Sequence, residues 1–106
     1  MNDLMERCAM LVRADHCEHE EILRELQHSP DPRFIPFVCE AIRLKPNLAY
    51  LEYDDYGAFY KKCLWVLQAI GTPAAVAAID QCSRSDIPEL KEQALHRLSR
   101  ISEMKR

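Results

Sequence analysis

The chain has 106 residues, of which 48% are hydrophobic and 29% are charged, and its net charge is −3. This length predicts one domain, and the composition excludes a disordered chain. A mildly acidic chain disfavours nucleic acid as the partner and favours a protein with a basic surface. Because no apolar run reaches the roughly 20 residues of a membrane span and the N-terminal stretch is not a signal peptide, we predict a cytoplasmic location without membrane contact.

Apolar residues recur at helical spacing along the first half of the chain. Residues 1–14 are predicted to form a first helix, and Asp15 is a candidate N-cap for a second. The pair Asp31-Pro32 matches the N-cap and first-turn preferences of a third helix. This half therefore predicts a capping helix at 1–14 and a helical pair at 16–45.

The second half repeats the same signals after an extended connection at residues 46–56. Gly71 suits a helix C-terminus, and Thr72-Pro73 suits the start of the next helix. These signals predict a second helical pair at 56–83. Ser85 or Asp86 then begins a last helix, at 87–102, and the residues predicted to form its buried face are Leu90, Ala94, Leu95, Leu98 and Ile101.

The two halves align with each other. A shift of 41 residues places Leu23 on Leu64 and Asp31-Pro32 on Thr72-Pro73, and a shift of 31 residues places Leu64 on Leu95. Repeated helix–turn–helix units of this length are typical of α-solenoids. The difference between the shifts locates about ten extra residues in the 46–56 connection, and insertions in repeat proteins often lie on the binding face.

The stretch QAIGTPAAVAAI, followed by SDIPELKEQALHRLSRI, resembles the short HEAT-like repeats of bacteria. The match covers residues 50–102 best and includes a polar cap at Asp86, the pair Ala94-Leu95 and a helix start at Pro73. Cys63 departs from it, standing where the family often has alanine. The resemblance implies one all-α domain over residues 1–106, a right-handed HEAT-like solenoid of six helices in about two and a half pairs. It also implies a scaffold without a shared active site that binds a partner or, in some members, handles a bound cofactor. We predict a partner-binding protein that is not an enzyme and has no cofactor.

One short segment concentrates aromatic and acidic side chains. We define the acidic tyrosine segment as residues 50–56, with these candidate partner-binding residues: Tyr50, Glu52, Tyr53, Asp54, Asp55 and Tyr56. Tyrosine supplies large contact area with a polar tip, and neighbouring carboxylates select a basic partner. Arg24, Trp65 and His96 occupy equivalent repeat positions and are predicted to form a row on the same stack. The favoured hypothesis is a protein-interaction module, acting as a monomer or a homodimer, such as the immunity protein of a bacterial toxin.

Two alternatives stay open at this point. A cofactor-handling or lyase-like HEAT accessory protein would use Cys17, the one cysteine of five outside the apolar faces. A metal-binding helical protein would use His16, His19 and Glu20, which are spaced to converge on one face of a helix. The basic residues near the C-terminus, Arg97 and Arg100 among them, are predicted to be a solvated face.

Overall fold

Helices make up the regular structure of residues 4–48 and 57–104, the part of the chain that this computed structural model describes. They are α1 (Leu4–Leu11), α2 (His19–His28), α3 (Ile35–Leu44), α4 (Ala58–Ile70), α5 (Pro73–Cys82) and α6 (Pro88–Met104), with short 3-10 turns at Pro32–Phe34 and Lys45–Asn47. The described ranges contain no strand, so the predicted all-α class is confirmed. None of these helices is both long enough and apolar enough to cross a lipid bilayer.

The helices pack as two layers. Helices α2, α4 and α6 lie side by side in one layer, and α1, α3 and α5 form the other. The molecule measures 41 × 35 × 17 Å, and the shortest dimension is what two layers of helices give. Helix α4 is central because it contacts α2, α3, α5 and α6. Its buried residues are Phe59, Tyr60, Cys63, Leu64, Val66 and Leu67.

The helix ends follow local side-chain chemistry. Asp31 accepts a hydrogen bond from the backbone N–H of Arg33 at 2.9 Å, and Thr72 accepts one from the N–H of Ala75 at 3.2 Å. Gly71 has a φ of 68°, and its N–H donates to the carbonyl of Leu67, which ends α4. These contacts confirm the predicted caps at Gly71 and Thr72, since each satisfies a backbone group that the helix end leaves without a partner. Asp31 caps the 3-10 turn Pro32–Phe34 that leads into α3, and α3 itself begins at Ile35.

Helix α2 begins later than the sequence indicated. Asp15 was expected as its N-cap, but α2 starts at His19 and Asp15 forms an ion pair with Arg13 instead. The prediction for Asp15 is therefore wrong, because its carboxylate binds a neighbouring guanidinium rather than a helix N-terminus. Residues between α1 and α2 form a loop, which makes them two separate helices.

Helix α6 is rotated relative to the predicted buried face. Leu95 was expected in the core but is 50% exposed, and Arg97 was expected in solvent but is only 5% exposed. Both predictions are wrong, since the face that α6 buries contains Leu90, Ala94 and Arg97. Helix α6 packs against α4 and α5 on one side only, so its apolar face is narrower than that of the central helix.

Helices α4 and α6 run parallel. A Cβ placed on Gly57 would lie 3.0 Å from the Cβ of Glu89, and the Trp65 ring lies against the Arg97 guanidinium. In each pair the two residues are 32 positions apart in the sequence. Gly57 and Glu89 lie at the starts of the two helices, and Trp65 and Arg97 lie about two turns further along them. A constant separation at two levels requires the helices to point the same way.

Candidate functional site

The acidic tyrosine segment lies outside the described residues, and so do its predicted partner-binding side chains: Tyr50, Glu52, Tyr53, Asp54, Asp55 and Tyr56. The described chain stops at Leu48 and starts again at Gly57, where both flanking residues are fixed. Leu48 is 3% exposed in the core, and Gly57 packs closely on Glu89 at the start of α6. Gly57, which directly follows the segment, therefore lies where α4 and α6 begin.

Trp65 and Arg97 form a stacked pair between α4 and α6. The Arg97 Cζ lies 4.3 Å from the centroid of the Trp65 ring, a short cation–π contact. The Arg97 Nη1 also donates a 3.0 Å hydrogen bond to the Oε1 of Gln68, one turn along α4 from Trp65. The Trp65 side chain is half-buried. The contacts with Arg97 hold its indole ring in one orientation.

The charge on Arg97 is only partly compensated. No carboxylate among the described residues pairs with it, and its Nε is buried with no hydrogen-bond partner there. Burial lowers the pKa of Arg97, because it penalises the charged form, and the nearby charge of Arg100 lowers it further. The stack on Trp65 offsets about 1–2 kcal/mol of this cost. A guanidinium buried in this way is a candidate binding group.

The residue of the first repeat that aligns with Arg97 is also charged, but its charge is neutralised by an ion pair. The sequence shifts of 41 and 31 residues align Glu25 with Val66 and Val66 with Arg97. Glu25 accepts two hydrogen bonds from Arg7 of α1, at 2.9 and 3.1 Å, and these raise the pKa of Arg7. Val66 is fully buried. Arg97 occupies the same slot on the last described helix, without a charged partner.

The three residues of the predicted row are carried by α2, α4 and α6, the helices of one layer. Arg24 on α2 and His96 on α6 are exposed, and Trp65 on α4 is half-buried. The ring partner of Trp65 is the neighbour of His96, Arg97, which sequence reasoning missed. The signal that would have found it was the alignment of Arg97 with Val66, which places a charged residue at a core position of the repeat.

His16 and His19 close the loop between α1 and α2. Their rings stack with centroids 4.2 Å apart. The Nδ1 of His16 accepts from the N–H of Glu18, so its Nε2 carries the hydrogen that it donates to the Met10 carbonyl at 2.5 Å. The Nε2 of His19 lies 2.6 Å from the Arg13 carbonyl. The two rings therefore bind backbone carbonyls.

Glu20, the third residue of the candidate metal site, pairs with Lys62 of α4 at 2.9 Å. Within residues 4–48 and 57–104, no group of three or more His, Cys, Asp or Glu side chains is placed to hold a metal ion. Cys17, the residue of the cofactor-handling alternative, is exposed in the same loop. The histidines and Glu20 thus stabilise the junction of α1, α2 and α4.

His19 makes the stability of this junction depend on pH. It is fully buried, with its ring edge-on to Phe59, and burial lowers its pKa below the ordinary 6.5. The neighbouring His16 ring adds electrostatically to this lowering of the His19 pKa, whereas the bond to the Arg13 carbonyl and Asp15 oppose it. Below about pH 6.5 the unfolded chain gains a proton at His19 that the folded chain resists, so the free energy of unfolding should fall.

Urea unfolding of the wild type and His19→Gln at about pH 7.5 and 5.5 measures this loss. Glutamine retains a hydrogen-bond donor but does not titrate, so we expect a smaller loss of stability on acidification in the variant. An equal loss in the two proteins would show that His19 is not the group responsible.

Comparison with known proteins adds no relative. No protein-family model, no curated protein and no solved structure matches this chain. The HEAT-like resemblance therefore remains a prediction from the residues, and function has to be inferred from the contacts described above.

Proposed function

We propose that this chain is a protein-interaction module with no chemistry of its own. The observation that carries the proposal is the half-buried Trp65 stacked on Arg97, whose charge has no carboxylate partner among the described residues. An uncompensated buried charge costs folding stability, so a purely structural residue at this core position would be apolar. Tryptophan and arginine are also the residues that dominate the binding energy of protein interfaces.

The proposed scaffold is a right-handed HEAT-like solenoid. Support comes from the two helix layers and from the parallel α4 and α6, whose contacting residues are 32 positions apart. That separation is close to the 31-residue shift found in the sequence. A stack of repeats requires this geometry, because each unit buries its apolar face against the next.

The proposed binding surface combines the Trp65–Arg97 pair with the acidic tyrosine segment. Gly57, where that segment rejoins the stack, is followed by α4, and Trp65 lies seven residues beyond Ala58, about 10 Å along the helix axis. An interface of standard size extends over more than this distance, so both features are included in one proposed surface. The proposed partner is a protein with basic groups facing the segment and an oxygen acceptor for Arg97, and one form of this function is inhibition of a bacterial toxin.

Affinity capture tests the module. The immobilised wild-type chain is exposed to a lysate of its native source, beside a variant with alanine at Tyr53, Asp54, Asp55 and Tyr56. A control variant carries alanine at Asp80, Gln81 and Arg84, which lie on or next to α5, in the other layer from Trp65. We expect the wild type and the control to enrich the same protein and the segment variant to lose it. With the purified partner, calorimetry should show affinity reduced about 100-fold or more.

The possible outcomes test separately the binding segment, the interaction module and the inhibitor function. Equal capture by all three chains, with circular dichroism showing folded variants, would reject the segment as a binding surface. Absence of any specifically enriched protein would reject the interaction module. The inhibitor form requires in addition that the captured protein is toxic when expressed alone and harmless when expressed with this chain.

A further inference from the structure

An open cavity of about 170 Å³ lies at the surface of the layer opposite Trp65, between α3 and α5. Its lining includes Cys39 and Arg43 of α3, Cys82 of α5 and Ser85 of the following loop, with Ile42 and Leu90 as apolar parts. Both cysteines are free and half-buried. Two thiols on neighbouring helices therefore face one solvent-accessible space, a feature that the proposed interaction surface does not use.

The surroundings keep both thiols protonated at neutral pH. Burial raises the pKa of Cys82 to about 11, and negative charge on Cys39 contributes to that rise, whereas Arg43 opposes it. Burial also raises the pKa of Cys39, again opposed by Arg43. Ion pairs lie beside both cysteines: Arg43 with Glu40 on α3, at 2.9 Å, and Arg84 with Asp80 at the end of α5, at 3.0 Å. Two thiolates here repel each other unless a cation lies between them.

We propose that Cys39 and Cys82 form a two-thiolate binding site for the cuprous ion. Thiolates are the ligands that soft metal ions select, and Cu(I), a closed-shell ion, accepts linear coordination by two sulfur atoms. Zinc requires four ligands, and no third His, Cys, Asp or Glu among the described residues joins the pair. The resulting complex carries one negative charge, which the Arg43 guanidinium partly offsets.

The binding step balances without an oxidant or a reductant. The S–H bonds of Cys39 and Cys82 break, two S–Cu bonds form, and two protons pass to solvent. Copper remains Cu(I) throughout. Because protons are displaced, the apparent affinity should increase with pH.

Anaerobic titration of the reduced protein with Cu(I), in competition with bicinchoninate, tests the site. The wild type should bind about one Cu(I) ion. The Cys39→Ser and Cys82→Ser variants should each bind it at least 100-fold more weakly. The matched control is Cys17→Ser, which changes the exposed cysteine outside the cavity and should leave this affinity unchanged. Proton release, followed with a pH indicator in weak buffer, should be about two per ion bound.

Several results would overturn the site. Wild-type affinity in either cavity variant, with circular dichroism showing the native helix content, would place the ion elsewhere. Failure of the reduced wild type to compete with bicinchoninate would exclude a copper site, even if air oxidation links Cys39 to Cys82. X-ray absorption of the copper complex should show two sulfur ligands, and nitrogen or a larger sulfur shell would contradict the proposed coordination.

Discussion

Replacement of Gly57 by alanine is expected to lower the free energy of unfolding by about 2–4 kcal/mol, whereas Gly71→Ala should cost about 1–2 kcal/mol. The two glycines have nearly the same left-handed φ, 72° and 68°, so the backbone strain of an added side chain is similar. They differ in their neighbours. A Cβ on Gly57 would lie 3.0 Å from the Glu89 Cβ, whereas the nearest atom to a Cβ on Gly71 is the Gln68 carbonyl oxygen at 3.5 Å.

Urea unfolding of the two variants isolates the contact between the starts of α4 and α6. The common backbone cost cancels in the difference between Gly57→Ala and Gly71→Ala, and what remains is the displacement of Glu89. An equal loss of stability in both variants would mean that Gly57 does not pack on α6. The parallel arrangement of α4 and α6 would then lose one of its two supporting contacts.

Replacement of Arg97 by methionine is expected to weaken partner binding about tenfold or more. Methionine retains the length of the side chain and can contact the Trp65 ring through its sulfur, but it removes the charge and every hydrogen-bond donor. In the proposed complex those donors meet an oxygen of the partner, and the guanidinium fixes the Trp65 ring. Affinity is measured by calorimetry with the captured partner.

The matched control is Arg100→Met on the same helix. Arg100 is exposed and forms a 3.5 Å ion pair with Glu103, the kind of surface contact that contributes little. The control removes the same charge one turn away and should change affinity less than about threefold. A similar loss in both variants would indicate a general effect of net charge rather than a specific role for Arg97.

Local signals in the sequence predicted much of the fold. Asp31, Thr72 and Gly71 mark helix ends because their side chains or backbone freedom satisfy groups that any helix leaves unpaired. The repeat shifts also aligned α4 with α6 to within one residue of their actual contacts. Such features depend on chain neighbours and on repeated units, both of which are visible in one sequence.

Other features depend on tertiary contacts that periodicity does not encode. In the sequence, Leu95 fits the apolar face of a helix and Arg97 does not. The packing of α6 on α4 and α5 nevertheless buries Arg97 against Trp65 and exposes Leu95. Similarly, His16 and His19 have the spacing of metal ligands but bind the backbone carbonyls of Met10 and Arg13, because α2 begins only at His19. The rotation of α6 about its axis determines which residues contact Arg97, and the late start of α2 determines which groups the two histidines bind.

The most direct test of a binding role for Arg97 is the unfolding free energy of Arg97→Met, measured in urea beside the wild type. A guanidinium held for a partner costs the free protein stability, so the variant should be as stable as the wild type or up to about 2 kcal/mol more stable. Loss of more than about 1.5 kcal/mol would show that Arg97 is a structural link between α4 and α6. That result would contradict the central claim that this stacked pair is retained for binding.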